Sequence, residues 1–327
     1  MTTPGPIIVT GADRTGTTLL YALLGSHPAV SMVRRTNLWR WFDQRHGDLA
    51  DPDNLDRCLD AMLRYRRLRV LEPDRVALRA AFLAGAPTYG RLFDLLHRQH
   101  ADRHGRRRWA DKSLHTEHHA ERVFAELPDA RIIHMVRDPR DRYASIIRRY
   151  DGRSKGLGAA MGRWVASVRR GRRNLRHHPD RYLLVRYETL AVAPEPTLRS
   201  ICAFIGEDYD AGMLRMDGVV GDSDRDGNSS FGSIAPGTIS TGSIGRYGSI
   251  LTPRHIAFIQ ASVGRMMRAH DYTPQPVRLS ARDRAVFYLA DLPWGTARLI
   301  GWMASQALGE RRDGGVPEHR LTSPAAT

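Results

Sequence analysis

A chain of 327 residues with 42% hydrophobic and 26% charged residues is long enough to bury a full core and too apolar for a disordered polymer. Lys and Arg outnumber Asp and Glu by 50 to 35, a formal net charge of +15 that favours anionic partners. Two cysteines, Cys58 and Cys202, rule out a disulfide framework and lack zinc-site spacing. With no signal-peptide pattern and no run of roughly 18 apolar residues, a reducing, cytoplasmic location without a transmembrane segment is expected.

In chain order, Ile7 to Thr10 is a short β-branched run. Gly11 and Gly16 then bracket a four-residue loop ahead of a leucine-rich helix expected over 18–26. Strand, glycine-bounded loop and helix start together form an anion cradle, because loop amides and the helix N-terminus point at a ligand. The spacing is that of a phosphate loop, yet Thr17 stands where such a loop carries the lysine that reaches the β- and γ-phosphates. This weighs against a triphosphatase. Arg14, inside the loop, offers another source of positive charge.

Val30 to Val33 predicts a buried strand that delivers Arg34, Arg35, Thr36 and Asn37 either to the same sheet edge or to a solvated loop. From Trp39 to His104 the pattern is helical, punctuated at Asp51-Pro52, Glu72-Pro73-Asp74 and Ala86-Pro87-Thr88, and is expected to be an insertion. Its arginines read as a solvated face and not as a nucleic-acid groove, since no aromatic residues interleave with them. Next, Trp109-Ala110-Asp111-Lys112 leads into His115-Thr116-Glu117-His118-His119. His115 and His119 have the spacing that puts two histidines on one helix face, but the run is not H-E-x-x-H and shows no third ligand, so no metal is expected. Lys112, at a strand end, is placed to stabilise charge on a transferring group.

Ala130 to Val136 is the clearest strand. It runs into Arg137-Asp138-Pro139-Arg140, where Pro139 opens a helix that carries Ser145, a second anion site. Two cradles on one sheet imply a ligand phosphorylated at two places. Helices are expected over 159–175, 194–205 and 253–270, with a strand over 182–185. The glycine-rich segment 218–248 is expected to be a lid or binding loop. The apolar, aromatic stretch 284–308, broken at Pro293, is expected to dock on the parent domain or on a partner subunit in preference to a membrane surface. The tail after Gly309 is expected to lack order.

Several of these stretches together resemble the motifs of the sulfotransferases that use 3′-phosphoadenosine 5′-phosphosulfate (PAPS). They are Arg14-Thr15-Gly16-Thr17-Thr18, Arg137 with Ser145 eight residues on, the strand ending in Tyr187-Glu188, and Ser243-Ile244-Gly245-Arg246-Tyr247. The likeness runs over about residues 6–274 and is to bacterial members related to the tyrosylprotein, Golgi-type branch. It implies an α/β, three-layer P-loop-like fold with a mostly parallel central sheet and helical insertions. The domain would cover 1–275, with an insertion at about 39–104 and a lid at about 218–248. A helical extension over 276–310 and a tail over 311–327 would follow.

The implied activity is sulfuryl transfer from PAPS to a hydroxyl or amine, releasing adenosine 3′,5′-bisphosphate and needing no metal. By the same resemblance, Arg14, Thr15, Gly16, Thr17 and Thr18 would hold the 5′-phosphosulfate. Arg137 and Ser145 would hold the 3′-phosphate, with Tyr187 and Arg246 completing the nucleotide site. Lys112, with Arg14, would stabilise the leaving oxygen. One departure stands out: where the related branch carries a glutamate as general base, this chain reads Arg34-Arg35-Thr36-Asn37, so His115 or Glu117 would take the acceptor proton. The net charge suits an acidic acceptor, and a homodimer is compatible with the apolar extension. The rival readings are a P-loop-like small-molecule kinase and a non-catalytic polyanion- or nucleic-acid-binding protein; no nucleic-acid partner is expected.

Overall fold

Five parallel strands, β1 (Ile7–Thr10), β2 (Val30–Arg34), β3 (Arg108–Lys112), β4 (Arg131–Val136) and β5 (Tyr182–Arg186), form one sheet in the order β2-β3-β1-β4-β5. The computed structural model describes residues 4–150, 156–216 and 238–309. Strand β1 is central, and its alternation fills two layers. Ile7 and Val9 pack with Leu20, Leu23 and Leu24 of α1 (Thr17–Gly25) and with α10 (Pro194–Ile205), whereas Ile8 packs with Trp109, Ile132 and the helical insertion. The result is the expected three-layer α/β arrangement with helices on both faces. The chain leaves β1 towards β2 on one side and reaches β4 on the other, so the carboxyl end of β1 is the topological switch point where ligands of such sheets bind.

The insertion comprises α2 (Leu38–Trp41), α3 (Pro52–Arg64), α4 (Arg75–Leu83) and α5 (Tyr89–Arg103). Asp51, Asp74 and Thr88 cap α3, α4 and α5 by accepting from backbone N–H groups of the first turn, which is why the Asp-Pro and Pro-Thr punctuation marks helix starts. After β3 in the chain come α6 (Ala120–Glu126), α7 (Pro139–Tyr150), α8 (Leu157–His177) and α9 (Tyr187–Val192). The C-terminal third contributes α11 (Tyr247–Ile250), α12 (Pro253–Arg268), α13 (Ala281–Val286) and α14 (Leu292–Gly309). Both cysteines are buried thiols. Cys58 lies 3.8 Å from the Met62 sulfur and Cys202 3.8 Å from that of Met213, and burial raises their pKa to about 12 and about 11.

Two expectations change. Pro293 does not break the C-terminal stretch: it sits in the first turn of α14, directly after a π-helical turn (Phe287–Asp291) whose wider spacing relieves the clash a proline makes with the carbonyl four residues back. Nor do His115 and His119 share a helix face. Residues Thr116–His119 form a 3-10 turn, His115 precedes it with φ 68°, and its neighbouring ring is that of His118, 6.3 Å away. Most of the glycine-rich segment, 218–237, and the tail 310–327 lie outside the described residues.

The turn after β3 is fixed by Glu117, whose side chain is fully buried. Thr10 Oγ1 donates to its Oε2 at 2.6 Å and Ser167 Oγ to its Oε1 at 2.6 Å, while the Asn174 amide donates to its backbone carbonyl. Since Ser167 gives its one proton to Glu117, it must accept at 3.0 Å from His134 Nε2, which leaves His134 Nδ1 to accept from the Tyr182 hydroxyl at 2.7 Å. That assignment requires a neutral imidazole. Burial indeed pushes the His134 pKa down to about 4, outweighing the Glu117 charge.

Unfolded, His134 takes up a proton near its ordinary 6.5; folded, it resists to about 4, so the unfolded chain binds more protons across that window. Stability should therefore be present above pH 6.5 and decline towards pH 4, by on the order of 3 kcal/mol from this residue alone. Urea unfolding at neutral and mildly acid pH checks this: His134→Gln should flatten the pH slope, and an unchanged slope would assign it to other groups.

Candidate active site

The register lines up the carboxyl ends of the strands. Val9 pairs with Lys112 and Ile133, Thr10 with His134, and Arg34 with Lys112, so the loops after β1, β2, β3 and β4 open on one edge. The loop from Gly11 to Gly16 is held by Thr15 Oγ1 donating to the Ala12 carbonyl at 2.8 Å. Gly16, with φ 89°, is where α1 begins; a Cβ there would stand 2.4 Å from Cδ2 of Tyr187. Only glycine satisfies both the left-handed backbone and the aromatic ring closing on it. The same ring carries the Arg137 guanidinium, 4.4 Å from its centroid.

Lys112 is buried at the end of β3, and its Nζ donates to Thr18 Oγ1 at 3.4 Å, across the first turn of α1. Beside it, the Arg35 N–H donates to the Lys112 carbonyl at 2.9 Å. Arg35 and Asn37 both adopt positive φ, 61° and 50°. The bend is held by Thr36 Oγ1 and Ser113 Oγ donating to Asp111 Oδ2 at 2.5 and 2.7 Å, and by the Asn37 N–H donating to Ser113 Oγ at 2.9 Å. The Arg34–Asn37 stretch thus belongs to the sheet edge and is no solvated loop.

The segment after β4 joins the loop after β1. Arg14, at φ 66°, sends its Nε to Ser145 Oγ of α7 at 2.8 Å, so its charge reaches beyond the loop towards the α7 side. Arg137 donates to the carbonyls of Arg14 at 3.3 Å and Ser243 at 2.7 Å. Burial, followed by the nearby Arg137 charge, lowers the Arg14 pKa from its ordinary value. The described end of the glycine-rich segment is tied to this corner by Asp141, whose carboxylate accepts the N–H groups of Gly245 at 2.7 Å and Tyr247 at 2.9 Å. Arg246 turns back within the segment, its Nε donating to the Gly242 carbonyl at 2.8 Å.

His115 is partly exposed at this edge, its Nδ1 3.9 Å from Glu117 Oε1. Burial lowers its pKa against the opposing pull of Glu117, which favours the neutral imidazole. Glu117 itself is no candidate for contact with an acceptor, being enclosed with both oxygens accepting hydroxyl protons. His115, Glu117 and His118 place three donor atoms within 4.8 Å of one another, the one grouping of metal-ligand type among the described residues. His118 is thus the third donor that the sequence spacing did not show, and both carboxylate oxygens of the cluster also accept from Thr10 and Ser167.

A family profile described as "Sulfotransferase family" matches residues 6–211, well over half the chain and every strand of the sheet. The chain belongs to the sulfotransferase family. This sulfotransferase is similar in fold to the sulfotransferase domain of the Synechococcus PCC 7002 olefin synthase, at 23% identity and a TM-score of 0.58, covering 84% of this chain and 98% of that one. It is likewise similar to the sulfotransferase domain from the curacin biosynthetic pathway, at 19% identity and a TM-score of 0.61, covering 83% and 99%. Among curated proteins no sequence matches.

The buried supports of the sulfotransferase site are not among the residues that the sequence pattern singles out. Arg142, fully enclosed, donates to the Asp13 carboxylate, to the Asp13 carbonyl at 2.8 Å and to the Ala160 carbonyl at 2.8 Å, so it anchors the phosphate loop to α7 and α8. Burial works to raise the Asp13 pKa, but Arg142 and Arg163 more than offset it and hold the carboxyl below its usual range. The one signal for this role was the recurrence of arginine through 137, 140 and 142, which does not tell a ligand-facing guanidinium from a buried one.

Gly16→Ala should destabilise the fold by roughly 2–4 kcal/mol, from left-handed strain plus the clash with Tyr187. Chemical denaturation of Gly16→Ala with and without Tyr187→Ala checks the origin: the second change should restore the clash component only, and no restoration would place the damage in the backbone alone.

Proposed function

We propose that this sulfotransferase draws its sulfuryl group from PAPS and passes it to a hydroxyl or amine on an acidic acceptor. The observation that carries the reading is that the loop after β1 and the start of α7 meet at one sheet edge, joined by the Arg14–Ser145 hydrogen bond, as two paired anion cradles would require. Backbone amides of Thr15 to Thr18 with the Thr17 and Thr18 hydroxyls would hold the 5′-phosphosulfate. Arg14 would share in holding that 5′ end while its bond to Ser145 links it to the other cradle, where Arg137 and Ser145 would grip the 3′-phosphate, with Tyr187 and Arg246 lining the nucleotide. A phosphate oxygen would compete for an Arg137 guanidinium now bonded to the Arg14 and Ser243 carbonyls.

Lys112, beside Thr18, would neutralise the bridging oxygen as its bond to sulfur breaks. His115, neutral and three residues on, would accept the acceptor proton as the new oxygen–sulfur or nitrogen–sulfur bond forms. The chemistry follows the logic of in-line phosphoryl transfer, positioning plus charge neutralisation. Thr17 in place of the phosphate-loop lysine supports this reading over a kinase.

Arg137→Ala should weaken adenosine 3′,5′-bisphosphate by about 1.5–3 kcal/mol and leave adenosine 5′-phosphate nearly unchanged, as read by thermal shift or calorimetry. Equal losses for both ligands, or stabilisation of the wild type by ATP-Mg²⁺ or an oligonucleotide alone, would defeat the assignment.

For the proton, His115→Ala should slow transfer from labelled PAPS roughly 10²–10⁴-fold at unchanged nucleotide affinity. Because burial lowers the His115 pKa, activity should persist below the ordinary imidazole value of 6.5 and fall only at more acid pH. An acid limb that survives in His115→Ala would move the base elsewhere.

A further inference from the structure

The last two helices present a face with no function so far. Helix α14 carries a single charged residue, Arg298, along Leu292–Gly309. Its inner side lies against α8 through glycines: a Cβ at Gly158 would stand 2.0 Å from the Gly295 carbonyl oxygen, and one at Gly162 would stand 2.8 Å from the Trp302 ring. The backbones therefore touch; Phe287, Leu292, Leu299 and Met303 pack inward on the core and Trp302 against Gly162, while other large apolar side chains of α14 and the π turn face outward. Tyr288 is 61% exposed, Leu289 82%, Trp294 67% and Ile300 59%.

We infer that this face is a docking surface for an anionic lipid membrane, with α13 and α14 lying in the plane of the headgroups. Charge selects the occupant. The acidic residues near the face, Asp283 and Asp291, both pair with Arg254, at 3.6 and 3.4 Å. Arg282, Arg284 and Arg298 are exposed, and Arg298 lies 5.5 Å over the Trp294 ring. The rim is thus positive around an aromatic and aliphatic centre, the pattern of an interfacial helix that combines apolar burial with attraction to anionic headgroups.

A second copy of a chain of charge +15 would bring like rims together. Residues 310–327 offer only Val316 and Leu321 as large apolar side chains, too few to cover the face. No helix among the described residues is long and apolar enough to cross a membrane, which fits a helix lying on the surface.

The test uses the full chain with sedimented vesicles of phosphatidylcholine alone and of phosphatidylcholine mixed with phosphatidylglycerol. Wild type should pellet with the mixed vesicles, less with the neutral ones, and be released by salt. Leu289→Glu with Trp294→Glu should raise the lipid concentration for half-binding roughly tenfold or more, with circular dichroism and melting temperature at wild-type values. Arg282→Glu with Arg284→Glu, which leaves the apolar centre intact, should weaken only the anionic-vesicle binding. Wild type that stays in the supernatant with both vesicle types overturns the inference. So does a wild-type dimer in sedimentation velocity that the Leu289→Glu, Trp294→Glu variant disperses without any lipid binding.

Discussion

The carboxylate of Glu117 is the point at which the last residue of β1, the turn after β3 and helix α8 are held together. Enclosing a lone anion would cost several kcal/mol. Here the cost is offset by directed donors: Thr10 and Ser167 give hydroxyl protons to the carboxylate, and behind Ser167 stand His134 and Tyr182, each passing a proton donor towards the charge. Thr10 immediately precedes the phosphate loop, and His115 stands two residues before Glu117. One buried group thereby sets both the root of the loop after β1 and the backbone from which His115 projects.

A second constraint is the distribution of arginine. The net charge of +15 suggests a surface looking for anions, yet several guanidiniums at the site edge serve the fold. Arg142 is wholly enclosed and bonded to Asp13 and the Ala160 carbonyl, and Arg137 bridges two backbone carbonyls over an aromatic ring. Arg140 is paired with Asp138 at 2.6 Å and lies over the Tyr247 ring. Arg142 and Arg140 are thus neutralised by Asp13 and Asp138 and brace the backbone around the site, while Arg137 is held in a fixed orientation over Tyr187.

How much of this could be read from the residue string depended on the range of the interactions. Strands β1 and β4, the phosphate-type loop and the proline-opened α7 were legible because β-branched runs, glycine spacing and Pro139 are local signals. Helix α10 was likewise legible over 194–205, a range that the structure reproduces. The His115–His119 pairing was misjudged because a 3-10 turn with a left-handed start replaces the expected helical face, a choice made by Glu117 reaching Thr10 and Ser167 across the molecule. Pro293 reads as a break in the sequence because the π turn ahead of it leaves no mark in the residue pattern. The supports from Asp13, Arg142 and Asp141 were invisible for the same reason: their partners lie 18 to 129 residues away.

The two thiols have a use of their own. Each is enclosed beside a methionine sulfur with its pKa raised to about 12 or about 11, so the thiolate that reacts with maleimides, iodoacetamide or peroxide is scarcely populated at neutral pH. Neither wild-type cysteine therefore needs to be removed before the protein is labelled. A cysteine placed at exposed Ala290 or Ala297 would be the one reactive sulfur on the chain, and an environment-sensitive dye attached there would report directly on whatever meets the apolar face.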